Sequence, residues 1–180
     1  MRLERARTAL VIVDVQEAFR PAVIDFDRVV ENVATLVQGA RVLDIPVLVT
    51  EQYPKGLGRT VPEVSRHLDG IEPIEKLCFS AAESAEFAER LRESGREQVL
   101  LSGIESHVCV NQTTDDLLRA GSEVHVAADA VSSRTEENRD LGLHKMERAG
   151  AVITSVETAL FELLRAAGTP EFKEIQKLVK

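Results

Sequence analysis

Three residues that can together attack a carbonyl compound stand far apart in this 180-residue sequence. They are Asp14, closing the apolar run TALVIVD; Lys76, in IEKLCFSA; and Cys109, in GIESHVCVNQTT. A thiol beside a base and a cation is a candidate nucleophile, because the attacking species is the thiolate. Each residue also has a bland reading. Asp14 alone reads better as a helix cap or ion-pair partner. Cys109 alone is as readily a buried, inert thiol. Lys76 alone passes for a surface lysine whose stem covers apolar neighbours.

The segments that must position them alternate short β-branched apolar runs with longer amphipathic ones, the pattern of parallel strands joined by crossover helices. Strands are expected over residues 8–14, 45–50, 98–103, 123–129 and 151–154, with a weaker one within 71–79. Helices are expected over 26–43, 80–94, 109–120, 135–149 and 156–167. This is an α/β, Rossmann-like three-layer fold with a central, mostly parallel six-stranded sheet flanked by helices, in a single domain spanning 1–180. Near-continuous apolar strands fit a sheet covered on both faces. The excursion over 51–73 carries several Pro and Gly residues and is a candidate lid or pocket wall. The final TPEFKEIQKLVK can form a short helix with Phe172, Ile175, Leu178 and Val179 on one side, to pack on its own domain or on a neighbouring subunit.

In an open parallel sheet, chemistry collects at the carboxyl ends of the strands, where helix N-termini also point. Asp14 and Cys109 both fall there. Cys109 opens its expected helix, so unpaired N–H groups and the helix dipole are expected to favour its thiolate.

Composition narrows the partners. With 44% hydrophobic and 29% charged residues and no apolar run of roughly 18 residues, the chain reads as globular, without a membrane span. A net charge of −8 repels a phosphate backbone, so nucleic acid is not expected as a partner. The start, MRLERARTAL, lacks a signal peptide's long apolar core, which makes the cytoplasm the expected location. Two cysteines, Cys78 and Cys109, form neither a disulfide framework nor a zinc cluster. Cys78 reads as a core residue.

The segments VIVDVQEAF, TEQYPKGLG, EKLCFSA, GIESHVCVNQT and AADAVSSR together resemble the isochorismatase-like cysteine hydrolases over nearly the whole chain, and most closely the isochorismatase-domain-containing branch. The resemblance implies a catalytic triad of Asp14, Lys76 and Cys109, and a non-proline cis peptide between Ile104 and Glu105. It also implies an oxyanion hole from the Glu105 and Cys109 backbone amides, and a homo-oligomer. The activity implied is hydrolysis of a small amide or related C–N bond through a thioester. Two other readings stand beside it: an isochorismatase-type enol-ether hydrolase, which would leave Cys109 idle, and a noncatalytic binding protein retaining the fold.

Nicotinamidase members of that family hold a zinc-type ion with an Asp-x-His after the second strand. This chain has Glu51-Gln52-Tyr53 there, and His67, His107, His125 and His144 lack compensating ligand spacing. No metal and no cofactor are expected, and the partner expected is a small-molecule substrate. Phe19, Tyr53 and Ile104 are candidate pocket walls, and Gln16 and Gln52 candidate polar contacts. For each, packing or surface hydrogen bonding is nearly as good an account. His107, two residues from Cys109, reads as a pocket-lining or solvent group, because neighbouring positions on a turn rarely bring side chains together. His125 reads as a packed or edge histidine. Gly56 and Gly58 match no phosphate-binding fingerprint.

Overall fold

The computed structural model describes residues 2–180. Six strands, β1 (Thr8–Val13), β2 (Val47–Gln52), β3 (Ile74–Lys76), β4 (Gln98–Ile104), β5 (Glu123–Ser132) and β6 (Val152–Thr154), form one sheet in the order β3-β2-β1-β4-β5-β6. All neighbouring pairs are parallel. Eight α-helices connect or follow them: α1 (Phe26–Val42), α2 (Pro54–Leu57), α3 (Pro62–Ser65), α4 (Ala85–Ser94), α5 (Asn111–Arg119), α6 (Glu136–Ala149), α7 (Val156–Leu164) and α8 (Pro170–Leu178). The strand order reverses between β1 and β4, which opens a crevice at their carboxyl ends where a doubly wound sheet takes its ligand.

Every residue of β1 and β4 is buried, because helices cover both faces. One core packs Leu10 and Ile12 of β1 against Val29, Val33 and Val37 of α1, Leu160 of α7 and Ile175 of α8. The other packs Val11 and Val13 against Phe87 and Leu91 of α4, Leu117 of α5 and Met146 of α6. The C-terminal helix therefore lies on its own domain, with Ile175 wholly buried. Among the described residues no helix is long and apolar enough to cross a membrane.

Several boundaries differ from the periodicity reading, and three of them, next to the crevice, have a local reason. β2 runs on through Glu51 and Gln52 because they pair with Glu75 and Lys76 of β3, so the excursion over 51–73 begins inside the sheet. The helix expected from residue 80 starts at Ala85, where the Ser84 side chain caps it by accepting the Phe87 N–H. The helix expected from residue 109 starts earlier, with a π-helical turn at Ser106–Val110 that continues into α5. Single π turns of this kind recur at functional sites.

Gly103 lets β1 and β4 approach at the crevice. Its φ is +124°, and a Cβ there would stand 2.0 Å from the Val13 carbonyl oxygen. Gly103→Ala is expected to cost about 3 kcal/mol or more, which for a chain of this size lowers Tm by roughly 6–12 °C. Thermal unfolding checks this, and an unchanged Tm would mean that the crossing has room to relax.

Candidate functional site

Asp14 is the first residue after β1. Its N–H donates to the Thr50 carbonyl at 3.1 Å, and its φ of 53° places it in the left-handed region, which aspartate tolerates better than most residues. The side chain is wholly buried. Oδ1 accepts from the Thr50 hydroxyl at 2.7 Å, and Oδ2 from Lys76 Nζ at 2.7 Å. Thr50 is in place because β2 pairs in register with β1, setting it opposite Val13.

Lys76 ends β3, and its side chain, like that of Asp14, has no exposed surface. Its ammonium is held by four acceptors: Asp14 Oδ2, Gln52 Oε1 at 2.8 Å, and the carbonyls of Phe79 at 3.0 Å and Cys78 at 3.2 Å. A buried ion pair survives desolvation only when such partners complete it. The pair is therefore built into the sheet rather than laid on its surface.

Cys109 is 5% exposed and sits fourth in the π turn. The turn is wedged against α6 at Gly142, where a Cβ would come within 2.7 Å of the Ser106 carbonyl. The Ile104–Glu105 peptide is cis. Cys109 and Asp14 are near enough for each to act on the other's proton affinity. Burial pushes Cys109 from an ordinary value near 9 up to about 12; the Asp14 charge adds to this and Lys76 opposes it. Asp14 is also raised, by burial first, against the pull of Lys76 and Thr50. The thiolate expected from a helix N-terminus is thus not the resting state. Cys109 lies inside the helical run, shielded from water and beside a carboxylate.

Asp14, Lys76 and Cys109 come together; most of the other candidates do not join them. Gln16 is wholly buried, and its amide bonds to main-chain atoms of Gln52 and Gly58. Gln52 contacts Lys76 and the Leu77 carbonyl. Ile104 is wholly buried among the α1-side core residues, and Phe19 packs against the same core from a half-buried position. Tyr53 is 51% exposed and, with Pro54, Lys55, Glu75, Lys76 and Leu77, lines a cavity of 350 Å³ at the β3 edge, which Asp14 and Cys109 do not line. The Glu105 carboxylate accepts from the Arg134 N–H at 3.2 Å and from its Nε at 3.0 Å. His107 Nδ1 meets Ser133 Oγ at 3.0 Å. Thr50 and Arg134 are the residues that sequence reasoning missed; Thr50 had a signal in its place at the end of a strand beside β1.

Glu51, which the sequence set against the metal-binding Asp of nicotinamidase members, accepts from the Thr60 N–H and hydroxyl and from Arg59. Among the described residues no group of three or more His, Cys, Asp or Glu side chains is placed to hold a metal ion.

A family model described as "Isochorismatase domain" matches residues 8–158. Isochorismatase domain-containing protein 2 of Danio rerio is 42% identical over 178 residues, which is 99% of this chain and 89% of that protein. Among solved structures, the MAR1 ribonuclease of Caenorhabditis elegans superposes with a TM-score of 0.95 at 40% identity, covering 99% of this chain and 92% of the other. YcaC from Pseudomonas aeruginosa, solved with hexane-2,5-diol and covalent acrylamide, gives 0.92 at 27% identity, covering 98% and 91%.

The raised thiol makes a prediction with a definite sign. With its thiol pushed up to about 12, Cys109 rests protonated at pH 7, so its alkylation in a Cys78→Ser background should keep accelerating past pH 10. Asp14→Asn removes a negative charge that opposes the thiolate. It should therefore speed alkylation at pH 9 by up to about tenfold, while Lys76→Met should slow it. A rate for Cys109 that levels off below pH 8, with the adduct located by mass spectrometry, would contradict this picture.

Proposed function

The chain belongs to the isochorismatase family, a hydrolase fold, and from that premise we propose that it hydrolyses a small, uncharged amide or related C–N bond through a thioester on Cys109. The observation that carries this reading is the buried Asp14–Lys76 ion pair, both of whose charges act on the buried Cys109 thiol. A covalent acrylamide on the Pseudomonas aeruginosa relative supports it further, since acrylamide is an electrophile that thiols add to.

The charges explain how a thiol with so high a pKa can still attack. Losing its proton to water would leave a buried net negative charge beside Asp14. Passing the proton to Asp14 instead leaves the cluster neutral, because Lys76 balances whichever partner holds the negative charge. Burial also raises Asp14 towards the range in which it can accept that proton. The thiolate then attacks the carbonyl carbon, and the C=O electron pair moves onto oxygen, facing the Glu105 and Cys109 amides. When that pair returns, the C–N bond breaks and Asp14 gives its proton to the departing nitrogen, leaving a thioester. Asp14 next takes a proton from water as its oxygen attacks the thioester. The acid leaves, and the sulfur regains the proton.

Small size follows from access: Cys109 is 5% exposed, and the side chains of Asp14 and Lys76 have no exposed surface. Neutrality fits the pairing of Asp14 with Lys76 and of Glu105 with Arg134. The ribonuclease name of the Caenorhabditis elegans relative suggests a polyanionic substrate, and the net charge of −8 works against one here. Self-association is part of the proposal. Tyr53, Leu77 and Phe79, all more than half exposed, form an apolar edge beside β3. Two free cysteines suit a reducing compartment such as the cytoplasm.

A screen of small neutral amides for ammonia or amine release tests the function. Cys109→Ala, Asp14→Asn and Lys76→Met are each expected to lower kcat by about 10³-fold or more, with no further loss on combining them, because the three act as a unit. Hydrolysis that survives Cys109→Ala would instead favour cysteine-independent enol-ether chemistry.

A further inference from the structure

Two buried glutamines stand next to the triad without touching Cys109. Gln52, 9% exposed, ends β2 at a point where β1 has already stopped: the last β1–β2 pair is Val13 with Thr50. The main chain of Gln52 therefore lacks a strand on that side. Gln16 supplies one with its side chain. Its Oε1 accepts the Gln52 N–H at 2.7 Å, and its Nε2 donates to the Gln52 carbonyl at 3.0 Å and to the Gly58 carbonyl at 2.7 Å. A side-chain amide, with a donor and an acceptor at one end, completes the ladder as a peptide group would.

Held in this way, Gln52 reaches the reacting centre. Its Nε2 donates to the Leu77 carbonyl at 2.8 Å, which fixes the amide's orientation, and its Oε1 accepts from Lys76 Nζ at 2.8 Å. Among the four acceptors on that ammonium, Asp14 is the one that carries charge. A second carboxylate at position 52 would divide the field of Lys76 and weaken its hold on Asp14.

We propose that Gln52 is a positioning residue for Lys76, neutral so that Asp14 receives the full ion pair, and that Gln16 fixes it by completing the sheet ladder with its side chain. This rests on the triad reading above. It assigns Gln16 and Gln52 to the alignment of the proton acceptor and not to contact with substrate.

The test uses Gln52→Glu, Gln52→Met and Gln16→Met in the Cys78→Ser background. Thermal unfolding confirms that each folds; Cys109 alkylation is followed against pH, and kcat and KM are measured on an active amide. Gln52→Glu should slow alkylation at pH 9 by about tenfold, the effect of one unit of thiol pKa. It should also lower kcat at least tenfold with KM within about twofold, the pattern of a group acting on the chemical step. Gln52→Met should lower kcat with the same split, and Gln16→Met should do so more weakly. Gln16→Met decides the matter if the Gln52 variants do not fold. A folded Gln52→Glu protein that alkylates and turns over like its parent overturns the proposal. If the parent hydrolyses no amide while Gln52→Glu still slows alkylation, the positioning role stands and the amidase reading fails.

Discussion

A single buried contact, Lys76 Nζ to Asp14 Oδ2 at 2.7 Å, constrains the rest of this molecule. An ammonium and a carboxylate without exposed surface cost several kcal/mol each to desolvate, and their attraction offsets this only with good geometry and filled hydrogen-bonding capacity. Much of the sheet's carboxyl edge meets that requirement. β2 brings Thr50 to the free oxygen of Asp14 and Gln52 to Lys76, β3 aims the lysine, and the backbone after β3 bends so that the Cys78 and Phe79 carbonyls face the ammonium. A stability argument alone would favour apolar residues at both positions. The pair makes better sense as chemistry held inside a packed domain.

The same contact explains why a protonated thiol suits this site. A resting thiolate near Asp14 would place two negative charges against one positive in a region closed to water. Sharing one proton between sulfur and carboxylate keeps the cluster neutral at each stage, so the nucleophile appears when an electrophile can take up its charge. A thiol of this kind also resists adventitious oxidation, since oxidation follows thiolate character and exposure.

Much of this was legible in the sequence, and the gaps have physical causes. The alternation of apolar and amphipathic segments gave six strands and the longer helices, because periodicity is a local property; the four-residue helices α2 and α3, too short to show a period, lay unread within the excursion over 51–73. Asp14, Lys76 and Cys109 stood out as chemically capable residues at the ends of such segments. The order of the strands depends on pairing between distant residues, and so does the role of Thr50, which matters only because Val13 lies beside it. Gln16 and Gln52 were legible as polar groups near the site but not as a clamp, since their partners, main-chain atoms and the Lys76 ammonium, lie up to 42 residues away. The state of Cys109 read differently for a similar reason. A helix start is visible in a sequence, whereas burial and an adjacent carboxylate are not. Gly142 carried no signal at all, although its missing Cβ is what lets α6 press on the turn that holds the thiol.

The most direct test of the central claim is the intact mass of the protein, acid-quenched during turnover of a small amide that it hydrolyses. The expected result is an added acyl group that maps to Cys109, is released by hydroxylamine as a thioester would be, and is absent from Cys109→Ala. Turnover of the same amide with no acyl adduct at any quench time, in a protein whose Cys109→Ala variant remains active, would contradict it.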